Sequence, residues 1–217
     1  KLEVVFQNMT SSSIINLNNV WGENMSKLPT LFTERLIIRP LSINDAQDMY
    51  DYSYRDNVGP RAGWKPHQSI ADSEAVIRSM INQTMTDTNI GIFALEYREN
   101  KKMIGTIGVH RYDKTNLSAE VGYVLHPDYW GKGLMVEALT KVIMWLFDQM
   151  GLYRIECSHF DFNYQSKRVI EKCGFTFEGI SRKKIVLSDG SRADLYNYAI
   201  LRDEYLNKQL PWQKKKE

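Results

Sequence analysis

The sequence predicts a mixed α/β domain in which helices cover a sheet of strands. Apolar segments of strand length alternate along the chain with segments that have the period of an amphipathic helix. Hydrophobic residues make up 43% of the 217 residues, which is enough to fill the core of one large domain. The sequence contains no internal repeat and no sign of a second domain. These observations indicate one α/β domain with extensions at its ends.

The first half of the chain contains a strand, two helices and two further strands. The first strand ends at Pro40, because proline cannot donate a hydrogen bond to a neighbouring strand. Ser42 suits the N-cap of the first helix, and Ser69 with Asp72 resembles a capping box that opens the second. Polar residues 99–102 form a hairpin turn between the next two strands. The predicted strands span residues 31–40, 90–97 and 103–112, and the predicted helices span 42–54 and 69–83.

The second half begins with a central strand followed by the longest helix. This helix carries an apolar stripe and is followed by Gly151, which suits a helix terminator. Another strand, a short helix and a closing hairpin around Asp189 and Gly190 complete the domain. The predicted strands span residues 121–125, 153–160, 175–187 and 193–201, and the predicted helices span 134–150 and 166–172.

Two glycines, Gly131 and Gly133, lie at the junction between the central strand and the longest helix. Glycine lets the backbone approach a ligand closely and adopt dihedral angles that other residues avoid. The free N–H groups of the first helical turn point into this loop, with the positive end of the helix dipole behind them. The loop is therefore a candidate site for a pyrophosphate or another anion. A dinucleotide fingerprint would need glycine in place of Val136, and a P-loop would need Ser or Thr after Lys132, so both motifs are excluded.

Further motifs follow this loop in a defined order. P-x-x-W-G-K-G-x-x-x-E-A spans residues 127–138, N-x-x-S spans 163–166, and E-K-x-G-F spans 171–175. A weaker match to G-x-x-A-D-x-Y-x-Y-A, with one residue of slack, spans 190–199. In this order and spacing, the sequence resembles the GCN5-related N-acetyltransferase (GNAT) superfamily over about residues 31–206. Within the superfamily it is similar to the Rim-type branch, the ribosomal-protein-alanine N-acetyltransferases.

The resemblance implies a GNAT fold and acetyl-CoA as the cosubstrate. This fold has a central mixed, mostly antiparallel sheet of about seven strands, flanked by about four helices and split between its central strands. Acetyl-CoA would lie in the split, with its pyrophosphate on residues 130–135 and its pantetheine along the central strand. The implied cofactor-binding residues are Tyr123, Val124, Leu125, Trp130, Gly131, Lys132, Gly133, Leu134, Met135, Asn163 and Ser166.

Glu120 and Ser166 are the catalytic residues that the resemblance implies. Acyl transfer needs a neutral amine and benefits when the leaving thiolate receives a proton. Glu120 lies just before the predicted central strand, where many relatives use a glutamate to take a proton from the amine through water. A solvated carboxylate at the end of the sheet is the alternative. Ser166 matches the proton donor of the Rim-type enzymes, and a helix cap is its alternative.

Three positions depart from the patterns of the superfamily. Asp128 stands where many members have Arg or Gln, so we expect it to point outward and to leave Lys132 as the charge partner of the pyrophosphate. Members with a tyrosine proton donor carry it where this sequence has Ile170. A glutamate that some Rim-type enzymes carry in the closing hairpin is missing near Ile185.

The acceptor is expected to be a primary amine that meets acetyl-CoA in a ternary complex. It is either a protein N-terminus or a small amine such as a polyamine or an antibiotic. Acidic residues around the acceptor would favour a polycation. Trp64 and Tyr112 are candidate walls of the acceptor pocket, with core or loop packing as the alternative for each. A non-catalytic acyl-CoA-binding module and a nucleotide-binding protein are the competing functions.

Composition argues against several other classes of protein. The net charge of +2 gives no indication of nucleic-acid binding, and no apolar run approaches the roughly 20 residues of a membrane helix. The four histidines show no metal-ligand spacing, so no metal is expected. Cys157 and Cys173 are interpreted as packing residues, which fits a reduced, cytoplasmic setting. A homodimer is left open as the assembly.

The acetyltransferase domain is expected to span residues 30–207. Residues 1–29 are rich in Ser and Asn and are expected to form a flexible extension. Residues 2–7 resemble a viral 3C-type protease recognition sequence, which would make part of this extension an engineered addition. Residues 208–217 are expected to form a polar C-terminal tail.

Overall fold

The computed structural model describes residues 28–84 and 86–214, in which helices cover both faces of one sheet. The prediction of a flexible extension therefore lies almost entirely outside the described residues. The strands are β1 (Leu31–Phe32), β2 (Leu36–Pro40), β3 (Asn89–Tyr97), β4 (Met103–Asp113), β5 (Ser118–Leu125), β6 (Arg154–Phe160), β7 (Thr176–Val186) and β8 (Arg192–Leu201). The helices are α1 (Ala46–Ser53), α2 (Gly59–Ala62), α3 (Ile70–Asn82), α4 (Leu134–Asp148), α5 (Tyr164–Lys172) and α6 (Arg202–Leu206).

The sheet is antiparallel except at its centre. Its strand order is β1-β2-β3-β4-β5-β6-β8-β7, and the β5–β6 pair is parallel because α4 crosses from one strand to the next. Backbone pairing between these two strands runs only from Ser118, opposite Arg154, to Val121, opposite Cys157. Beyond that point β5 continues to Leu125 and β6 to Phe160. The two strands therefore diverge at one end, and the predicted mostly antiparallel, split sheet is confirmed.

The described residues contain more elements than the predicted seven strands and four helices. They form eight strands because a turn divides the predicted strand 31–40, with Thr33 N–H donating to the carbonyl of Leu36 at 3.0 Å. They form six α-helices because the short segments α2 and α6 are also helical. The central strand begins at Ser118, so Glu120 lies inside β5 rather than before it.

Two hydrophobic cores cover the two faces of the sheet. Ala94 of β3 packs in the core that includes α1 and α3, whereas its neighbours Phe93 and Leu95 face the core built on α4. This alternation follows from the two-residue period of a strand. The apolar stripe of α4 supplies fully buried Leu139, Val142, Ile143 and Leu146, as its sequence period predicts.

The C-terminal segment packs against the domain instead of forming a polar tail over its described part. Leu210 is only 3% exposed, and Trp212 donates its indole N–H to the carbonyl of Cys173 at 2.9 Å. The predicted tail over residues 208–217 is therefore corrected up to Lys214. Two apolar residues in a short polar sequence give too weak a local signal to predict this contact.

Candidate active site

The divergence of β5 and β6 opens two adjoining cavities. The larger has a volume of about 430 Å³ and lies beside the loop that leads into α4. The smaller has a volume of about 250 Å³ and lies between β5, β6 and the α2 region. The residues that line both cavities, and so mark where they meet, are Arg61, Ala62, Tyr123, Val124, Asn163 and Ser166.

The glycine loop forms one wall of the larger cavity. Gly131 and Gly133 have φ values of 74° and 75°, in the left-handed region that glycine adopts most easily. No described atom lies within 4 Å of the position that a Cβ would take at Gly131. Trp130 secures the start of the loop by donating its indole N–H to the carbonyl of Leu125 at 2.7 Å. The loop thus offers open space beside the start of α4, where the first N–H groups of a helix have no partner within it, as an anion cradle requires.

Of the eleven predicted cofactor-binding residues, ten line the larger cavity and Lys132 does not. The Lys132 ammonium lies 5.1 Å from the centre of the Tyr129 ring, and the Lys132 carbonyl accepts a hydrogen bond from Arg35. The prediction that Lys132 is the charge partner of the pyrophosphate therefore has no support from its side-chain position.

Asp128 points outward, as expected for a carboxylate beside an anion site. Its side chain is 61% exposed and forms two hydrogen bonds, of 2.7 and 3.2 Å, with the guanidinium of Arg55. These bonds lower the pKa of Asp128, so it remains ionised and paired at neutral pH. Arg55 thereby balances the negative charge of Asp128 outside the cavity.

Three cations that the sequence analysis did not select line the larger cavity. Arg168 and Lys172 lie one helical turn apart on α5, and Arg61 projects from α2. The Arg61 guanidinium also lies 6.0 Å from the Trp130 ring and donates to the side chain of Gln165 at 3.0 Å. The four-residue spacing of Arg168 and Lys172 was the available signal in the sequence. These cations give the larger cavity the positive charge that a phosphate ligand needs.

An ion pair between Arg35 and Glu137 holds the glycine loop from behind. The Arg35 guanidinium contacts Oε2 of Glu137 through Nε and Nη2, both at 2.7 Å, and Nη1 donates to the carbonyl of Lys132 at 3.0 Å. The backbone N–H of Arg35 donates to Oε1 of Glu137 at 2.9 Å. Partial burial opposes ionisation of Glu137, but the hydrogen bonds from Thr33 and Arg35 and the Arg35 charge outweigh it and lower its pKa. The pair thus ties β2 to both the loop and α4.

Ser166 lies near the start of α5, but its side chain does not cap that helix. Asn163 is the N-cap, and its Oδ1 accepts from the backbone N–H of Ser166 at 3.1 Å. The Oγ of Ser166 instead lies 2.9 Å from the Tyr123 hydroxyl, at the junction of the two cavities. Asn163 also donates to the carbonyl of Arg61 at 3.0 Å, which joins α5 to α2. The capping alternative for Ser166 is therefore wrong.

Glu120 lies in the smaller cavity and is largely shielded from solvent. Its side chain is 12% exposed. Ser158 donates to Oε1 at 3.0 Å, and Arg111 donates to Oε2 at 2.6 Å. On the adjacent strand, His110 faces Glu120 in register, and burial lowers the pKa of His110 despite the nearby carboxylate. The solvated-carboxylate alternative is therefore wrong, because Glu120 is held inside the smaller cavity by Ser158 and Arg111.

Aromatic side chains form the rest of the smaller cavity. Trp64, a predicted wall of the acceptor pocket, lines this cavity together with Phe160 and His159. The His159 ring donates from Nδ1 to the carbonyl of Phe160 at 2.7 Å, so its Nε2 can accept from the hydroxyl of Tyr198 at 3.2 Å. Burial lowers the pKa of His159, which keeps it neutral at pH 7. The sequence analysis did not single out His159, because its spacing from other histidines matches no motif.

Tyr112 packs in the core beside α4 and lines neither cavity. The register of β4 and β5 shifts between His110 and Asp113, and Arg111 within this bulge has a φ of 51°. A bulge reverses the face to which the following side chains point. The prediction that Tyr112 walls the acceptor pocket is therefore wrong, and Arg111 reaches Glu120 instead.

Both cysteines are buried, as expected for packing residues. Burial raises the pKa of the Cys157 thiol well above its ordinary range and that of Cys173 to about 12. Both therefore stay protonated near neutral pH.

Among residues 28–84 and 86–214, no group of three or more His, Cys, Asp or Glu side chains could hold a metal ion. In that same part of the chain, no helix has the length and apolarity needed to cross a membrane.

Known proteins resemble this chain in sequence and in fold. A family model described as an acetyltransferase (GNAT) domain matches residues 35–176. The uncharacterized N-acetyltransferase YoaA of Bacillus subtilis (strain 168) is 31% identical over 174 residues, covering 80% of this chain and 97% of that protein. The ribosomal protein uS5-alanine N-acetyltransferase of Escherichia coli (strain K12) is 29% identical over 172 residues, covering 76% of this chain and 86% of that protein. An acetyltransferase (GNAT family) structure from Bacillus anthracis matches with a TM-score of 0.72 and 27% identity, covering 81% of this chain and 100% of that one.

A split sheet with a glycine loop at the start of the helix beside the split defines an acyltransferase of the GNAT type. The chain belongs to the GNAT acetyltransferase family and is an N-acetyltransferase. Members of this family use acetyl-CoA. The competing functions, a non-catalytic module and a nucleotide-binding protein, are set aside.

Proposed function

We propose that this enzyme transfers an acetyl group from acetyl-CoA directly to the α-amino group of a peptide or protein in a ternary complex. The observation that carries the proposal is the meeting of two chemically different cavities at Tyr123 and Ser166. The larger cavity has a glycine loop and three cations, and the smaller one has a shielded carboxylate. An anionic cosubstrate and a cationic acceptor can thus enter from different sides and react at the junction.

The residues of the larger cavity fit the chemical groups of acetyl-CoA. The loop around Gly131 and Gly133 offers space and N–H groups to a pyrophosphate, and Arg168 and Lys172 offer charge to phosphates. The part of β5 beyond Val121 has no partner in β6 and offers backbone groups to the amides of a pantetheine chain. Acetyl-CoA supplies the activated acetyl group.

Glu120 is the general base in this proposal. A primary ammonium must lose a proton before its nitrogen can attack, and a positioned carboxylate accepts that proton directly or through one water. Ser158 and Arg111 hold both oxygens of Glu120, which limits the directions in which the carboxylate can turn. Ser166, at the junction, is the proton donor to the leaving sulfur.

The charges around the smaller cavity favour a monoamine over a polyamine. Among the described residues, Glu120 is the one carboxylate that lines this cavity, and it is already paired with Arg111. Arg61 lines the same cavity and would repel a second positive charge. A peptide N-terminus carries a single ammonium followed by neutral amides. The name of the uS5-alanine N-acetyltransferase, a relative at 29% identity, points to the same class of acceptor.

An acceptor screen tests this function directly. Peptides that begin with Ala, Ser or Met, spermidine and an aminoglycoside are compared by the rate of thiol release at saturating acetyl-CoA. We expect the peptides to react fastest. Faster reaction of spermidine or the aminoglycoside would contradict the peptide assignment, and absence of release with every acceptor would contradict the function.

The Glu120→Gln variant tests the base. The amide keeps the shape of the side chain but cannot accept the proton, so we expect a loss of roughly 100- to 10,000-fold in kcat at pH 7. The loss should shrink from pH 6 to pH 10, because more of the amine is then neutral without assistance. The control is Glu156→Gln: Glu156 is the register partner of Glu120 on β6, pairs with Arg154 and lines neither cavity. Equal activity of wild type and Glu120→Gln at pH 7 would remove Glu120 from the mechanism.

A further inference from the structure

Tyr123 of β5 and Ser166 of α5 form a pair of hydroxyl groups where the two cavities meet. The Tyr123 hydroxyl lies 2.9 Å from Oγ of Ser166 and 3.0 Å from the carbonyl oxygen of the same residue. Both residues line both cavities. The pair therefore lies where the leaving sulfur and the attacking nitrogen would come together.

Two hydrogen bonds of the Asn163 side chain fix the start of α5 next to Ser166 and join it to α2. Asn163 binds the Ser166 N–H through its side-chain oxygen and the carbonyl of Arg61 through its side-chain nitrogen. Because Asn163 caps the helix, the hydroxyl of Ser166 is free for another task. Its partner within hydrogen-bond distance is Tyr123.

The two distances at Tyr123 permit two arrangements of the hydroxyl hydrogens. If Tyr123 donates to the carbonyl, Ser166 can donate to Tyr123, and its hydrogen points away from the cleft. If Tyr123 donates to Oγ instead, the Ser166 hydrogen is released and can point into the cleft. Donation by Tyr123 to Oγ therefore leaves the Ser166 hydrogen available to a ligand, whereas donation to the carbonyl leaves the Tyr123 oxygen as a competing acceptor for it.

We propose that Tyr123 is a positioning residue for this reaction: it donates to Oγ of Ser166 and so directs the Ser166 hydrogen toward the leaving sulfur. The proposal rests on the function proposed above and deepens it, because it assigns a second hydroxyl to the proton path. Neither the family model nor the names of the relatives assign this task to Tyr123.

The proton path balances without a change in the charge of the pair. Glu120 takes the first proton from the acceptor ammonium. As the nitrogen–carbon bond forms and the carbon–sulfur bond breaks, Ser166 gives its proton to the sulfur and takes the second proton from the nitrogen. Tyr123 keeps its own proton throughout, and its hydrogen bond stabilises the partial negative charge on Oγ while the two protons move.

Burial supports this division of roles, because it raises the pKa of Tyr123 well above its ordinary value. A phenol with a raised pKa is a poor acid, so Tyr123 is unsuited to protonate the thiolate itself. It remains a neutral hydrogen-bond donor across the working pH range.

The test compares Tyr123→Phe, Ser166→Ala and the double variant with wild type. The acceptor is the fastest peptide of the screen described above, at saturating acetyl-CoA. A hydrogen bond to a group that develops charge is worth about 10- to 100-fold in rate, so we expect kcat of Tyr123→Phe to fall by that factor. The KM for acetyl-CoA should stay close to that of wild type, because the lost hydrogen bond matters only in the transition state. The double variant should be no slower than Ser166→Ala, because Tyr123 acts only through Ser166.

Tyr52→Phe is the matched control. Tyr52 is fully buried, its hydroxyl bonds to Thr106, and it packs among α1 and α3 away from both cavities. Its kcat should equal that of wild type. Wild-type kcat for Tyr123→Phe, or additive losses in the double variant, would overturn the proposal.

The proton inventory of the wild type gives an independent measurement that needs no variant. When chemistry limits the rate, a plot of kcat against the fraction of deuterium oxide should bow below the straight line that joins its two ends, because two protons move through Ser166. A linear dependence would show a single moving proton and would overturn the proposal even if Tyr123→Phe did not fold. Absence of thiol release from wild type with every acceptor would instead refute the function itself, so the two failures are distinguishable.

Discussion

The ion pair behind the glycine loop makes a measurable prediction for acetyl-CoA affinity. Arg35→Ala removes the guanidinium contacts with Oε2 of Glu137 and the hydrogen bond to the carbonyl of Lys132. It leaves the backbone N–H of residue 35, which still donates to Glu137. The substitution therefore releases the loop without removing any group that lines the cavity.

The magnitude follows from the number and exposure of these contacts. Charge-assisted hydrogen bonds are worth about 1.5–3 kcal/mol each when shielded, but exposed ion pairs are worth only about 0.2–1 kcal/mol. The Arg35 side chain is 39% exposed and that of Glu137 is 19% exposed, so solvent screens the pair in part. We therefore expect Arg35→Ala to reduce the stability of the ordered loop by about 1–2 kcal/mol. If the loop must be ordered again on binding, the Kd for acetyl-CoA rises by about 5- to 30-fold.

Calorimetric titration of acetyl-CoA into wild type and Arg35→Ala measures this change. Arg98→Ala is the control, because Arg98 donates to the carbonyls of Thr33 and Glu34 in the adjacent turn but not to the loop. Its Kd should equal that of wild type. An unchanged Kd for Arg35→Ala, with or without a lower melting temperature, would refute the idea that the pair shapes the cradle.

The pH dependence of stability supplies a second measurement on the same pair. The pKa of Glu137 is lower in the folded protein than its ordinary value of 4.5, so its ion pair stabilises the fold fully above that value. The stabilisation is lost as the pH falls below 4.5 through the lower folded pKa. Wild type and Arg35→Ala should therefore differ in free energy of unfolding at pH 7 and converge in acid.

Two further predictions concern the loop and the C-terminal segment. Gly131→Asp should abolish acetyl-CoA binding in calorimetry while the protein stays folded, because the added carboxylate would enter open space among phosphate oxygens. Aspartate tolerates the left-handed backbone better than most residues, and an unchanged affinity would count against this loop as the cradle. Leu210→Ala should lower the free energy of unfolding by about 2–5 kcal/mol in urea titration, because Leu210 is buried. A loss below about 0.5 kcal/mol, the size of an ordinary surface change, would show that residues 208–214 do not pack against the domain.

Features of the site that depend on neighbouring residues could be predicted from the sequence. The glycine loop is local: a strand, two glycines and a helix start define it within residues 121–135, and the structure places the loop at the larger cavity. The position of Asp128 also followed from local charge, because a carboxylate beside an anion site has to face away.

Features that depend on distant contacts could not be predicted. Arg35 and Glu137 are 102 positions apart, and no periodic pattern connects them. The same is true of Tyr123 and Ser166, which are 43 positions apart. Tyr112 was misplaced for a different reason, since strict alternation along β4 fails at the bulge around Arg111. Hydrophobic patterning predicts the positions of strands and helices, but it does not predict which polar groups pair across the fold.

Because β5 and β6 stop pairing at Val121, the last residues of β5 form an unpaired edge in the middle of the sheet. Exposed sheet edges invite pairing with other chains, and proteins usually cover or shorten them. Here residues 122–125 extend beyond the last matched pair, with α2 and α5 meeting above them through Asn163 and Arg61. Backbone groups on this inner edge are available to a chain of amides such as pantetheine. A bound cosubstrate would thus act as a removable strand, and its arrival should slow solvent exchange of those backbone hydrogens of residues 122–125 that point into the split rather than toward β4.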